Sequence, residues 1–175
     1  MRPAWSIIFF TTMSGLGLGL AGWIVIGLLP LMTQQAVIGV GVVTLALIGA
    51  GLISSTFHLG HPERAWRALS QWRSSWLSRE VVLAVIVMAG LAGWFAAGYS
   101  GTIVPAWANL LLLVLIYLTV YATSMIYASL KTVARWYHPL TPVCYLMFAA
   151  AGGLLATLAM LALLGLPITA ALAQA

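Results

Sequence analysis

Aspartate is missing altogether from this 175-residue chain, and Glu63 and Glu80 are its only acids. With seven lysines and arginines added, charged side chains reach 5% of the sequence against 63% hydrophobic ones, too little polar surface to coat a water-facing globule. A soluble monomer is therefore excluded. The lone cysteine, Cys144, excludes an internal disulfide, and no cysteine and histidine cluster has the spacing of a zinc or iron–sulfur site. No metal is expected in this chain, and any such centre belongs to a partner. Period-two alternation is absent as well, which excludes the strands of a membrane barrel. The net charge of +5 rests on few residues, confined to the N-terminus and two short loops, so it speaks for membrane topology and not for nucleic acid.

What the sequence has instead is five apolar runs, at about 8–31, 36–57, 81–99, 107–130 and 143–166, each close to or above the roughly 20 residues that cross a bilayer. They predict an all-α fold, a polytopic membrane helical bundle forming a single domain over 1–175. The first run continues without a small-residue cleavage site, so it reads as a retained span and not as a signal peptide. Small residues are dense inside the runs. Gly15 and Gly19 form a G-x-x-x-G pair, and Gly41, Gly49 and Gly51 thin the second run, as expected of helices that associate by close backbone approach. Gly17-x-Gly19-x-x-Gly22 matches a dinucleotide fingerprint only in letters, because no strand precedes it.

The connections are unequal. Those at 33–35 and 100–106 carry no charge, whereas 58–80 holds Arg64, Arg67, Arg73 and Arg79, and 131–142 holds Lys131 and Arg135. Five spans put Arg2 and both basic loops on one side, which the positive-inside rule makes cytoplasmic, with the tail from Pro167 outside.

The loop after the second run reads Thr56-Phe57-His58-Leu59-Gly60-His61-Pro62-Glu63-Arg64-Ala65. Gly60 can end a helix and Pro62 can open another, with Trp66, Leu69 and Trp72 recurring every three residues on an interfacial segment. His58 at this boundary has three readings: a hydrogen-bond and proton partner for a quinone, a haem ligand, or an interfacial histidine bonded to backbone. Glu80 has two. An acid at the edge of a lipid-spanning helix is costly and suspect, yet with Ser78 as N-cap it would sit in the first turn and favour the helix dipole. Lys131, Arg135, Trp136 and Tyr137 meet the needs of a topology anchor or of a docking rim for a soluble subunit. Tyr117 and Tyr121, four residues apart, share a helix face that could offer hydroxyls to a cavity. A small transporter and a haem b anchor pairing His58 with His138 are rival classes. The first is disfavoured by the absence of charge within the expected spans.

The run from Thr56 to Ala65, followed by Leu77-Ser78-Arg79-Glu80, resembles the H-L-G-x-P-x-R-A…L-S-x-E signature of the DMSO reductase membrane anchor (DmsC) family. The stretch Ser124 to Leu130 leading to Arg135-Trp136 is similar to that family's later loop. Because the family usually has about eight spans, the chain resembles an N-terminal portion or a shortened member. The resemblance implies an anchor in the bacterial inner membrane that reacts with menaquinone or ubiquinone and normally carries no haem. It also implies partners: an iron–sulfur electron-transfer subunit and, through it, a molybdopterin catalytic subunit. The family's quinol-binding histidine and acid map onto His58 and Glu80, with Arg64 as a charge partner. Arg67, Arg73, Lys131 and Arg135 become the expected docking residues. A cytoplasm-facing arrangement points within the family to the sulfite dehydrogenase type.

Overall fold

In lipid every backbone polar group must be satisfied within its own segment, and runs this apolar meet that demand as helices. The structure, a computed structural model, describes residues 5–29, 33–57 and 62–166. It contains α1 (Trp5–Val25), α2 (Gln34–Thr56), α3 (Trp76–Tyr99), α4 (Ala106–Ala128) and α5 (Leu140–Leu163), with a short 3₁₀ helix at Pro62–Leu69. Five helices of 21 to 24 residues are long and apolar enough to span a membrane, and no strand occurs among the described residues. Large apolar side chains point outward, among them Val42, Ile53, Phe148 and Leu155, as lipid requires.

The helices form a ring, each packed on its sequence neighbours, with α5 closing onto α1 and α1 also touching α4. Glycines bring α1 into this central place. A Cβ on Gly19 would collide with the Ala149 carbonyl of α5, and one on Gly153 with the backbone of Gly19. A Cβ on Gly17 would come within 2.9 Å of Ile48 N in α2, and one on Gly51 within 2.7 Å of Ser14 N. Trp23 adds a hydrogen bond from Nε1 to the Ala150 carbonyl at 2.8 Å.

Helix ends depart from the expected spans for local reasons. α1 stops at Val25, short of residue 31, because Gly27 turns left-handed at φ +90° and the Leu28 N–H returns to the Trp23 carbonyl. Gly101 and Gly165 close α3 and α5 in the same way, so three helices end alike at one end of the bundle. α3 begins five residues before the expected 81, since Ser75 and not Ser78 is its N-cap and accepts from Ser78 N at 3.4 Å. The span therefore takes in Arg79 and Glu80, which corrects the reading of charge-free spans. The segment after Pro62 is a 3₁₀ helix. The three-residue interval of Trp66 and Leu69 is the period of that helix, on which such side chains eclipse. Gly60, with Arg2 and the tail from Pro167, lies outside the described residues.

Gly19→Ala is expected to destabilise the protein by about 1–3 kcal/mol, the usual scale of overpacking. Gly15→Ala, whose Cβ meets nothing within 4 Å, should not. Thermal unfolding of both variants in lipid nanodiscs checks this, and equal stability would remove Gly19 as the close-contact point.

Candidate functional site

Glu80 lies in the second turn of α3 and is only 3% exposed. That position removes the helix-dipole reading, because the first turn at Trp76 to Arg79 holds no acid. Its partner comes from α4: Thr123 Oγ1 donates to Glu80 Oε1 at 2.5 Å. The same hydroxyl lies 3.1 Å from the Thr119 carbonyl, so its single proton has two acceptors and the carboxylate is the nearer. Among the described residues no ion pair reaches Glu80. Arg64 lies on the 3₁₀ helix, exposed, with Nε 3.8 Å from Glu63 Oε1, and no hydrogen bond or ion pair joins it to Glu80.

Thr123 also lines a cavity of about 450 Å³ between α1, α4 and α5. Its remaining polar wall is Thr11, Thr12, Ser14 and Tyr145. Tyr145 stacks on Tyr127 with centroids 5.6 Å apart, and Trp136 meets Tyr127 edge-on at 5.3 Å, which folds the second basic loop back over the bundle. Tyr117 and Tyr121 do not share this cavity. Tyr117 packs near Gly22 of α1, and Tyr121 meets Trp76 edge-on at 5.9 Å. The sequence signal for the Glu80 partner is the hydroxyl of Thr123, one of several threonines and serines inside the fourth apolar run.

The basic residues divide by role. Arg79 is a brace: Nε donates to the Trp72 carbonyl at 3.0 Å, Nη2 to the Arg73 carbonyl at 2.8 Å, and its guanidinium stands 4.3 Å from the Trp76 ring centroid. Arg67 and Arg73 lie over Trp66 and Trp72, each at 5.7 Å, and both are exposed, as are Lys131 and Arg135. Antiparallel alternation puts all of them at the end where α2 and α4 finish and α3 and α5 begin. His58 lies outside the described residues. It follows Phe57, the last residue described at the end of α2, and that end is tied to α1 by a hydrogen bond from Ser54 Oγ to the Ser6 carbonyl at 3.0 Å.

The model of the DMSO reductase anchor subunit family, DmsC, matches residues 1–173. The chain belongs to this family. It is 40% identical over 188 residues to the C subunit of sulfite dehydrogenase from Allochromatium vinosum, an alignment covering 96% of this protein and 58% of that one. It is 33% identical over 171 residues to the C subunit of anaerobic dimethyl sulfoxide reductase from Escherichia coli, covering 92% and 58%. The corresponding protein of Haemophilus influenzae is 27% identical over 171 residues, covering 89% and 57%. The chain thus spans somewhat over half the length of these curated relatives. No solved structure matches it. As a DmsC-family member it is a multi-pass membrane subunit, and its relatives are the C subunits of oxidoreductases.

The Glu80–Thr123 bond gives a direct test. Thr123→Val should destabilise the protein by about 1–3 kcal/mol, because it strands a buried carboxyl, while Glu80→Met with Thr123→Val should recover most of that loss. Thermal unfolding in nanodiscs measures both. A double variant no more stable than Thr123→Val alone would refute the bond's role.

Proposed function

We propose that this chain is the quinone-reactive membrane anchor of a molybdopterin oxidoreductase, exchanging electrons between the quinone pool and an iron–sulfur partner subunit. The observation that carries this reading is Glu80, an acid held deep among apolar helices by one hydroxyl and beside a cavity. An acid so placed is costly and is kept for a task, and proton exchange with quinol is a task that needs one. His58 is the second group. Its imidazole can donate to a quinone carbonyl and change protonation near neutral pH. Oxidation of a quinol releases two protons and two electrons. The protons go to His58 and Glu80, and the electrons go to the partner's clusters. The quinone is menaquinone or ubiquinone, and Arg64, exposed on the 3₁₀ helix, supplies positive charge at the same end of the bundle.

The exposed cations Arg67, Arg73, Lys131 and Arg135 form the docking face for the iron–sulfur subunit, which in turn carries the molybdopterin subunit. Their gathering at one end supports a cytoplasmic face in a bacterial inner membrane with the N-terminus inside. That arrangement favours the sulfite dehydrogenase type, in keeping with the identity to a subunit of that name. Reporter fusions after Gln35 and Arg73 should read outside and inside, and an external signal at Arg73 would invert the topology.

The activity test uses the assembled complex. His58→Asn keeps a hydrogen bond but removes the titrating group, and should cut quinone-linked turnover by about 10²-fold while dye-linked turnover of the soluble subunits persists. Charge reversal at Arg67 and Arg135 together should release those subunits without preventing insertion. Undiminished quinone-linked turnover in His58→Asn would sink the quinone role of the histidine.

A further inference from the structure

The cavity between α1, α4 and α5 combines buried hydroxyls with buried apolar side chains, Leu18, Val120 and Ala149, and opens toward lipid. Its inner wall holds the buried Ser14 and Thr123, and its outer wall reaches Phe148, 76% exposed on the lipid face of α5. A volume of about 450 Å³ lies within the roughly 300–1,000 Å³ of small-molecule sites. Its opening is built by the backbone. Gly19 is pressed against α5, whereas Gly15, one turn earlier, lines the cavity with nothing within 4 Å of where its Cβ would be. The two glycines of one G-x-x-x-G pair thus do opposite work, one closing the helices and the other leaving a gap.

We propose that this cavity is the chamber for the quinone ring, with the isoprenoid tail leaving between α1 and α5 past Phe148. The inference rests on the quinone reading above and names residues that reading did not include. Such a ligand has a flat ring with oxygens at opposite edges and a long apolar tail, and the cavity has hydroxyls inside and lipid at its mouth. Ser14 Oγ already donates to the Phe10 carbonyl at 2.6 Å, and Thr11 Oγ1 to the Ile7 carbonyl at 3.0 Å. Neither Tyr145 nor Thr12 makes a side-chain hydrogen bond with a described residue, and of the two hydroxyls that of Tyr145, half-buried on α5, is proposed as the donor for a ring carbonyl. Glu80 does not line the chamber, and Thr123 stands between them. A quinol hydroxyl donating to Thr123 Oγ1, while Thr123 donates to Glu80, joins ring and carboxylate by two hydrogen bonds. Thr123 is thus a positioning residue.

The experiment photolyses the full chain in nanodiscs with an azido-quinone bearing a short isoprenoid tail, and locates the label by mass spectrometry. Saturable label displaced by unmodified quinone is expected on residues 11–16 and 145–152. Gly15→Leu, which fills the chamber, should cut it at least tenfold. Gly93→Leu, equally free of neighbours at its Cβ but between α3 and α4, should leave it unchanged. Tyr145→Phe should raise the half-saturating concentration about fivefold to tenfold, the scale of one hydrogen bond. The label's position in the unaltered chain decides the proposal even where Gly15→Leu fails to insert. Saturable label elsewhere, indifferent to Gly15→Leu, overturns the chamber and leaves the quinone reading standing. No saturable label anywhere overturns both.

Discussion

Lipid is as apolar as leucine, so nothing squeezes these helices together as water would, and cohesion has to come from how closely their backbones approach. The rest of the structure depends on that constraint, and α1 is where it is met. Its glycines admit α5 at Gly19 and α2 at Gly17, while Tyr117 of α4 comes against Gly22. Because α1 touches three of the other four helices, a side chain added to its small-residue stripe is felt across the ring. The same economy explains the cavity. Where α1 lacks a side chain and no neighbour moves in, as at Gly15, the gap stays open.

Polar groups obey a second constraint, since each buried one needs a partner within the protein. Most hydroxyls solve this on their own helix. Ser14, Thr44 and Thr157 each donate to the carbonyl four residues earlier, at 2.6 Å, 2.8 Å and 2.8 Å, which satisfies them without linking helices. Thr123 has the same option in the Thr119 carbonyl, yet its shorter contact is with Glu80. That choice turns a locally satisfied threonine into a cross-link between α3 and α4.

The fold was legible because its causes are local. Apolar length fixed five helices, and their alternation fixed which loops share an end. Boundaries were less legible: a run of hydrophobicity does not say that Gly27 will turn left-handed, nor that Ser75 will cap ahead of Ser78. Glu80 stood out as an acid where acids are rare, but its partner did not, because a threonine in an apolar run looks like filler until the ring closes. Thr123 is 43 positions away in sequence, and only the packing of α3 on α4 brings it to the carboxyl. The i, i+4 tyrosines show the reverse failure. Tyr117 and Tyr121 lie near one another on α4, yet that helix is wedged between α3 and α1, so one ring meets Trp76 and the other Gly22.

The two ends of the bundle are built for different purposes. At one end, three left-handed glycine caps and a hydrogen bond from Gln34 Nε2 to the Tyr99 carbonyl finish the helices with uncharged turns. At the other end lie the arginine and tryptophan pairs, the Arg79 brace and the stacked Tyr127 and Tyr145, with Glu80 about one turn beneath them. Were the cations there only to orient the chain, they would need no particular neighbours, since topology counts charge and not geometry. Arg79 is instead spent on two loop carbonyls and a ring, and its helix neighbour Glu80 is spent on Thr123. The brace fixes the loop between α2 and α3 to the helix that carries the buried acid. That loop holds the exposed Arg67 and Arg73, so any subunit seated on them is referenced to Glu80 through a few rigid contacts. Under the proposed function, electron transfer between a bound ring and a partner's cluster would depend on such fixed separation, and among the described residues it is this face that joins exposed cations to the buried acid.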